Sequence, residues 1–418
     1  MTERYNRNAS SWLMKSAASS ADVRFNINGV PFSLDRELLA ARSAKVSTLL
    51  KRNSPELLPH LLQDIPADPE TFEIVARFCH GFEPELSSES IVPLICLAYY
   101  LGMDESHSTN NMLTKALTFF EQRVLPSWNE TIKAFRAAET VFQQAVDLGL
   151  VDACLKSIVA KTLLDPCFLG ESIKTSVNED DSDDDANKYR PNARRRLFVP
   201  DWQPENLITL SLQLYELVIH AVNQHGVPSE HIAASIFQYA NRWVLSGNTV
   251  GDNMLVYKNF KRDVIEAVET LLPQQIGLVA CSFLFEMLHC AIIFEASSDC
   301  RTGFEIRIGK QLDQATVKDL LIPVQGYARE MQYDVECVRR ILKIFYSNFS
   351  TADISGFLKV SELMEGFLAE VANDIDLKAD TFISLAEMSV AASFGTQRTS
   401  DGIYRAIDIY LDKHRYIY

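Results

Sequence analysis

Apolar and polar residues alternate strictly in only one part of the chain. Val23, Phe25 and Ile27 are separated by Arg24 and Asn26, and Val30, Phe32 and Leu34 alternate in turn after Asn28-Gly29. Asn-Gly between two alternating runs predicts a hairpin, because both residues tolerate the positive φ of a type I′ turn. Beyond Leu34 the apolar spacing changes to three and four. It predicts a helix over about 36–50 with Leu38, Leu39, Val46, Leu49 and Leu50 on its apolar side. Leu61, Leu62 and Ile65 read as a third strand. Asp68-Pro69-Glu70 carries a cap, a proline suited to the first helical position and an acid that complements the macrodipole. Phe72, Val75, Ala76 and Cys79 form that helix's stripe, and Gly81 ends it. Ser88 to Leu101 is the next predicted helix, closed by Gly102.

From Asn110 to Leu164 the pattern is helical throughout, with Pro126 breaking one helix from the next. Residues 165–200 differ. They contain Glu179-Asp180-Asp181-Ser182-Asp183-Asp184-Asp185 and then Arg190, Arg194, Arg195 and Arg196, blocks that cannot bury apolar area. From Trp202 to Tyr418 the spacing is helical again, as in Ile232, Ile236, Tyr239, Ala240 and Trp243 after Pro228-Ser229-Glu230. The expected organisation is a tail (1–20), an α+β domain (21–106), a helical extension (107–164), a charged linker (165–200) and a large all-α domain (201–418). The fold class is therefore mixed: an α+β domain, a helical bundle and an all-α C-terminal domain.

Composition narrows the function. The 418 residues carry a formal charge of −15, which disfavours nucleic acid or an anionic membrane as partner. The eight cysteines include no CxxC pair and the N-terminus lacks a signal-peptide core, so free, mostly buried thiols and a reducing cytoplasmic or nuclear setting are expected. The longest apolar stretch, Ile276 to Phe294, contains Glu286 and His289. It reads as a buried helix and not as a membrane span.

No catalytic, metal or cofactor constellation emerges. His220, His225 and His231 are spaced five and six apart, with Gly226-Val227-Pro228 between them, which is poor for one helical face. Gly303-Phe-Glu-Ile-Arg-Ile-Gly309-Lys310-Gln311 approaches a P-loop but has five residues between its glycines and Gln311 where Ser or Thr would hold magnesium. Ser182, with aspartate at each of the next three positions, is a candidate site for an acid-directed kinase; the same stretch also reads as a solvated spacer. Arg194–Arg196 reads as an import or phosphate contact, or as charge balancing the acidic block.

Asp22-Val23, Gly29, Phe32 and Leu38-Leu39-Ala40-Ala41-Arg42-Ser43 resemble the start of a BTB/POZ domain. Phe78-Cys79-His80-Gly81 and Leu97-Ala98-Tyr99-Tyr100-Leu101-Gly102-Met103 continue the resemblance, the latter in its plant form. Glu266-Ala-Val-Glu-Thr-Leu-Leu-Pro273, Glu305-Ile-Arg-Ile-Gly309, Asp319-Leu-Leu-Ile-Pro323, Arg339-Arg340-Ile341-Leu342 and Gly402-Ile-Tyr-Arg-Ala-Ile-Asp-Ile-Tyr-Leu411 resemble the plant non-phototropic hypocotyl and root phototropism family in order and spacing.

That resemblance implies a non-catalytic adaptor. The BTB part would pair into homo- or heterodimers and dock on a cullin-3-type scaffold of a RING ubiquitin ligase. The helical part would receive clients or receptor kinases, and such partners would recruit the protein to the plasma-membrane periphery. An alternative of a different class is a scaffold for photoreceptor-kinase or auxin-transport signalling without ubiquitin transfer. Phe82, Glu83 and Glu85, in Phe82-Glu83-Pro84-Glu85, stand where cullin-binding BTB domains carry an apolar-x-Glu loop. The chain departs from relatives at Leu34-Asp35-Arg36, where Leu-His-Lys is common, and at Phe367, where a tyrosine is common. It also stops at Tyr418, where relatives continue into a Cys- and His-containing helical block and a coiled coil.

Overall fold

A computed structural model describes residues 22–54, 57–62, 65–170, 207–246, 254–322, 333–348, 354–374, 377–393 and 401–414. The predicted tail, Ser182 and Arg194–Arg196 lie outside these residues. By internal contacts the described residues up to Phe168, together with Leu207–His225, form one compact unit. Leu169, Gly170 and the residues from Gly226 onward form another.

The first unit opens with strands β1 (Asp22–Ile27) and β2 (Val30–Asp35), antiparallel and paired from Asp22↔Asp35 to Ile27↔Val30. Asn28 and Gly29 turn the hairpin with φ of 48° and 85°, as their sequence requires. Val23, Phe25, Ile27, Phe32 and Leu34 are all buried. The predicted single helix over 36–50 is two, α1 (Arg36–Arg42) and α2 (Ala44–Arg52). Ser43 breaks it: its hydroxyl accepts from the Val46 amide and donates to the Leu101 carbonyl, while the Ala44 amide donates to the Gly102 carbonyl at 3.1 Å. The predicted third strand is absent among the described residues. Leu58–Leu61 is a short helix, α3, with Pro59 in its first turn and with Leu58 and Leu62, four apart, buried.

Helix α4 (Pro69–Cys79) begins as predicted, with the Asp68 carboxylate accepting from the Thr71 amide at 2.7 Å. Its Phe72 takes the hairpin's apolar face, meeting Phe25 at 5.6 Å and Phe32 at 5.0 Å between ring centroids. Helix α5 (Ile91–Leu101) packs against α4 and is buried nearly all round. Then come α6 (Met112–Phe119) with a π turn at Phe120–Val124, α7 (Trp128–Ala137), α8 (Phe142–Asp147) and α9 (Leu150–Leu164). The carbonyls freed where Pro126 stops the chain find donors in Thr131, Ser157 and Lys161. Phe168 stacks on Trp128 at 4.6 Å, so the first residues of the predicted linker are packed. Helix α10 (Leu212–Gln224) lies against α9 with Leu214, Tyr215, Val218, Ile219 and Val222 buried, and belongs to this first unit.

The second unit is all helical among its described residues: α11 (Ser229–Ala240), α12 (Met254–Leu271), α13 (Cys281–Ile293), α14 (Ser298–Gly309), α15 (Val317–Leu320), α16 (Val335–Asn348), α17 (Ile354–Val371), α18 (Ala379–Ser393) and α19 (Asp401–Lys413). Helix α13 holds the apolar stretch, buried except along a strip that includes Ser282 and Glu286. No helix of the described residues is long and apolar enough to cross a membrane.

The near P-loop is not a loop. Gly303 and Gly309 lie inside α14, where a Cβ would come within 2.3 Å of the Glu269 carboxylate and 2.6 Å of Ile344. The two glycines therefore let α14 approach α12 and α16 closely. Arg307 ties the α12 end down, donating to the carbonyls of Pro273 (2.8 Å), Leu272 (2.9 Å) and Glu269 (3.0 Å) and pairing with the Glu269 carboxylate at 3.3 Å. Buried Glu305 takes both forks of Arg340, at 2.9 and 2.7 Å, and accepts from the Cys337 thiol at 3.4 Å. That carboxylate holds the Arg340 guanidinium well above its ordinary value.

Candidate partner-binding surface

The loop that follows α4 is set by how that helix ends. Gly81 takes a φ of 90°, and the amides of Gly81 and Phe82 donate back to the carbonyls of Phe78 and Arg77 at 2.9 and 3.1 Å. This turn throws Phe82 outward, 53% exposed, with the Arg77 guanidinium 5.9 Å from its ring centroid. The two predicted acids are both engaged. Glu83 pairs with Lys115 at 2.8 Å and Glu85 with Arg77 at 3.8 Å, and each carboxylate side chain remains more than 80% exposed.

The far end of the loop is anchored. Ser87 and Ser90 share a hydroxyl contact at 2.9 Å, and buried Ser88 donates to the Glu130 carboxylate on α7. Lys133, one turn along α7, reaches Glu130 at 3.4 Å and Glu89 at 3.9 Å. The segment from Phe82 to Ser90 is thus stretched between α4 and α7. It encloses with α4 a groove of about 370 Å³. Glu70, Glu73, Ile74 and Arg77 form one wall, and Glu83 to Ser87 supply the other. The wall on α4 was not singled out from the sequence. The signal was present: Glu70, Glu73, Ile74 and Arg77 recur at helical spacing opposite the buried Phe72–Val75–Cys79 stripe.

His225 donates from Nδ1 to the Ala221 carbonyl and His231 to the Gly170 carbonyl, each at 2.8 Å. Among the described residues no three His, Cys, Asp or Glu side chains are grouped to hold a metal ion. Six of the eight cysteines are buried and none is in a disulfide. Burial pushes the thiols of Cys79, Cys96, Cys154, Cys281 and Cys300 up to about 12, which removes their nucleophilic character at neutral pH. Phe367 is fully buried within α17.

The chain is thus mainly helical, with an N-terminal hairpin, a loop that presents Phe82 outward and six buried thiols. The NPH3 family matches residues 201–418, and the chain belongs to that family. Its relatives in Arabidopsis thaliana carry BTB/POZ names. The BTB/POZ domain-containing protein At5g17580 is 47% identical over 408 residues, covering 96% of this chain and 72% of that protein. At3g03510 is 42% identical over 400 residues, covering 95% and 71%, and At1g30440 is 30% identical over 458 residues, covering 100% and 68%. No solved structure matches the chain. The family match starts at 201, whereas the compact units divide at 225/226, so the first helix of the matched region packs with the N-terminal unit.

Proposed function

We propose that the chain is a non-catalytic adaptor, its N-terminal hairpin and helices forming a BTB/POZ domain that docks on a cullin-3-type scaffold of a RING ubiquitin ligase. The observation that carries this reading is the loop that presents Phe82 outward, followed by exposed Glu83 and Glu85, in a chain whose relatives are named for the BTB/POZ domain. The all-helical second unit then presents client proteins or receptor kinases. Pairing of two BTB domains supplies a homo- or heterodimer, in the cytoplasm or at the plasma-membrane periphery.

The physical logic is that of an anchored aromatic. An exposed ring on a short loop fixed at both ends loses little conformational freedom on burial, so most of its apolar area contributes to affinity. Titration of the purified chain with the amino-terminal domain of cullin-3 tests the reading. Binding at micromolar concentration is expected, with Phe82→Ala weakening it by about tenfold or more. Absence of binding by the parent chain at micromolar concentration overturns the cullin reading and leaves a scaffold without ubiquitin transfer.

A further inference from the structure

We propose that the groove between α4 and the 82–90 loop receives a basic segment of a partner protein, and that this segment displaces Lys115 and Arg77 from the loop's carboxylates. This concerns the chemistry of the docked segment and stands whether or not a cullin carries it.

The groove is a formed concavity of about 370 Å³ with half-buried apolar surface from Ile74, Pro84 and Leu86. Its charged lining is almost of one sign: Glu70, Glu73, Glu83 and Glu85 against the single cation Arg77. Walls that carry charge of one sign beside apolar surface focus the field, which favours an incoming cation and repels an acidic segment. A segment with lysines or arginines beside leucine-like side chains matches both features. Arginine fits best, since its planar fork engages a carboxylate by two parallel hydrogen bonds.

The ion pairs already present set the mechanism. Glu83–Lys115 and Glu85–Arg77 join carboxylates that are 81% and 85% exposed to cations that are 20% and 40% exposed, and carboxylates so open to water hold their partners weakly. They keep the loop's charges spoken for, and their exchange for a partner's cations leaves the count of ion pairs unchanged. Lys115 is therefore an internal competitor, from which an asymmetry follows. Removing an acid weakens docking, whereas removing Lys115 strengthens it. A merely structural staple would respond in the same direction to both changes.

The experiment uses the full chain and two fluorescein-labelled amphipathic peptides, one of leucine and lysine and one of leucine and glutamate, followed by fluorescence anisotropy. The lysine peptide is expected to bind, more weakly as salt shortens the Debye length below about 8 Å, and the glutamate peptide is not. Glu73→Gln with Glu85→Gln should weaken the lysine peptide by about tenfold. Glu121→Gln with Glu139→Gln, outside the groove, should leave it unchanged. Lys115→Met should strengthen binding by about two- to threefold, with an unaltered thermal midpoint. The proposal is overturned by equal binding of both peptides, by equal effects of the two glutamine pairs, or by a weakening in Lys115→Met. Self-association abolished by the groove variants would assign the groove to a second copy of the chain instead. Because the probe contains no cullin sequence, these outcomes are independent of whether the chain binds cullin.

Discussion

Asp35 closes β2 and caps α1 with one side chain, accepting from the amides of Glu37 at 2.8 Å and Leu38 at 3.2 Å. The departure from Leu-His-Lys at this junction thus supplies an N-cap, and Asp35→Ala should cost about 1 kcal/mol, read as a lower thermal midpoint. Gly309 offers a sharper test. Alanine favours helix over glycine by about 1 kcal/mol. Here, however, the new methyl meets Cβ and Cγ2 of Ile344 at 2.8 and 2.6 Å and a backbone oxygen at 3.1 Å. Gly309→Ala should therefore be net destabilising, by roughly 1–3 kcal/mol in denaturant titration. The thiols give a pH signature. Groups raised from 9.0 to about 12 in the folded chain stay protonated while their unfolded counterparts ionise. Their contribution is intact below about pH 9 and is lost progressively as pH rises toward 12, so alkaline unfolding should set in within that window. A thiol reagent at neutral pH should find exposed Cys167 first and the six buried cysteines only after denaturation.

At the scale of elements, the hairpin and α4 could be read from the sequence because their determinants are local: Asn28-Gly29 for the turn, and Asp68 and Pro69 for the helix start. Phe25→Asp should unfold the first unit, since it places an unpaired carboxylate against Phe72, at more than about 3 kcal/mol. A cooperative melt at the parent temperature would contradict the packing. The break at Ser43 was not readable, because serine is tolerated inside helices and the group that captures it, the Leu101 carbonyl, lies 58 residues away. Leu61, Leu62 and Ile65 failed for a related reason. A short apolar run does not declare its period, and the deciding pair, Leu58 and Leu62, straddles Pro59. The loop at Phe82 was placed through its resemblance to BTB domains. The opposing wall on α4 was missed because an exposed helical face reads as solvated until a second element is seen to approach it.

At the scale of the molecule, the packing of α10 on α9 is a long-range choice that periodicity cannot specify. It has a measurable consequence. A fragment ending at residue 164 uncovers the α9 surface that α10 packs on, and should associate or melt lower than a fragment ending at 225, by gel filtration and thermal scans. A fragment beginning at 201 should self-associate through the α10 stripe, and one beginning at 226 should not. The described chain passes between the units three times, after Phe168, between Gly170 and Leu207, and after His225. A chimera between two members of this family would keep every helix on its native bed only if spliced at Gly226, with residues 169 and 170 exchanged alongside. Crossovers near 201, where sequence similarity alone would invite them, would marry one parent's α10 to the other's α9.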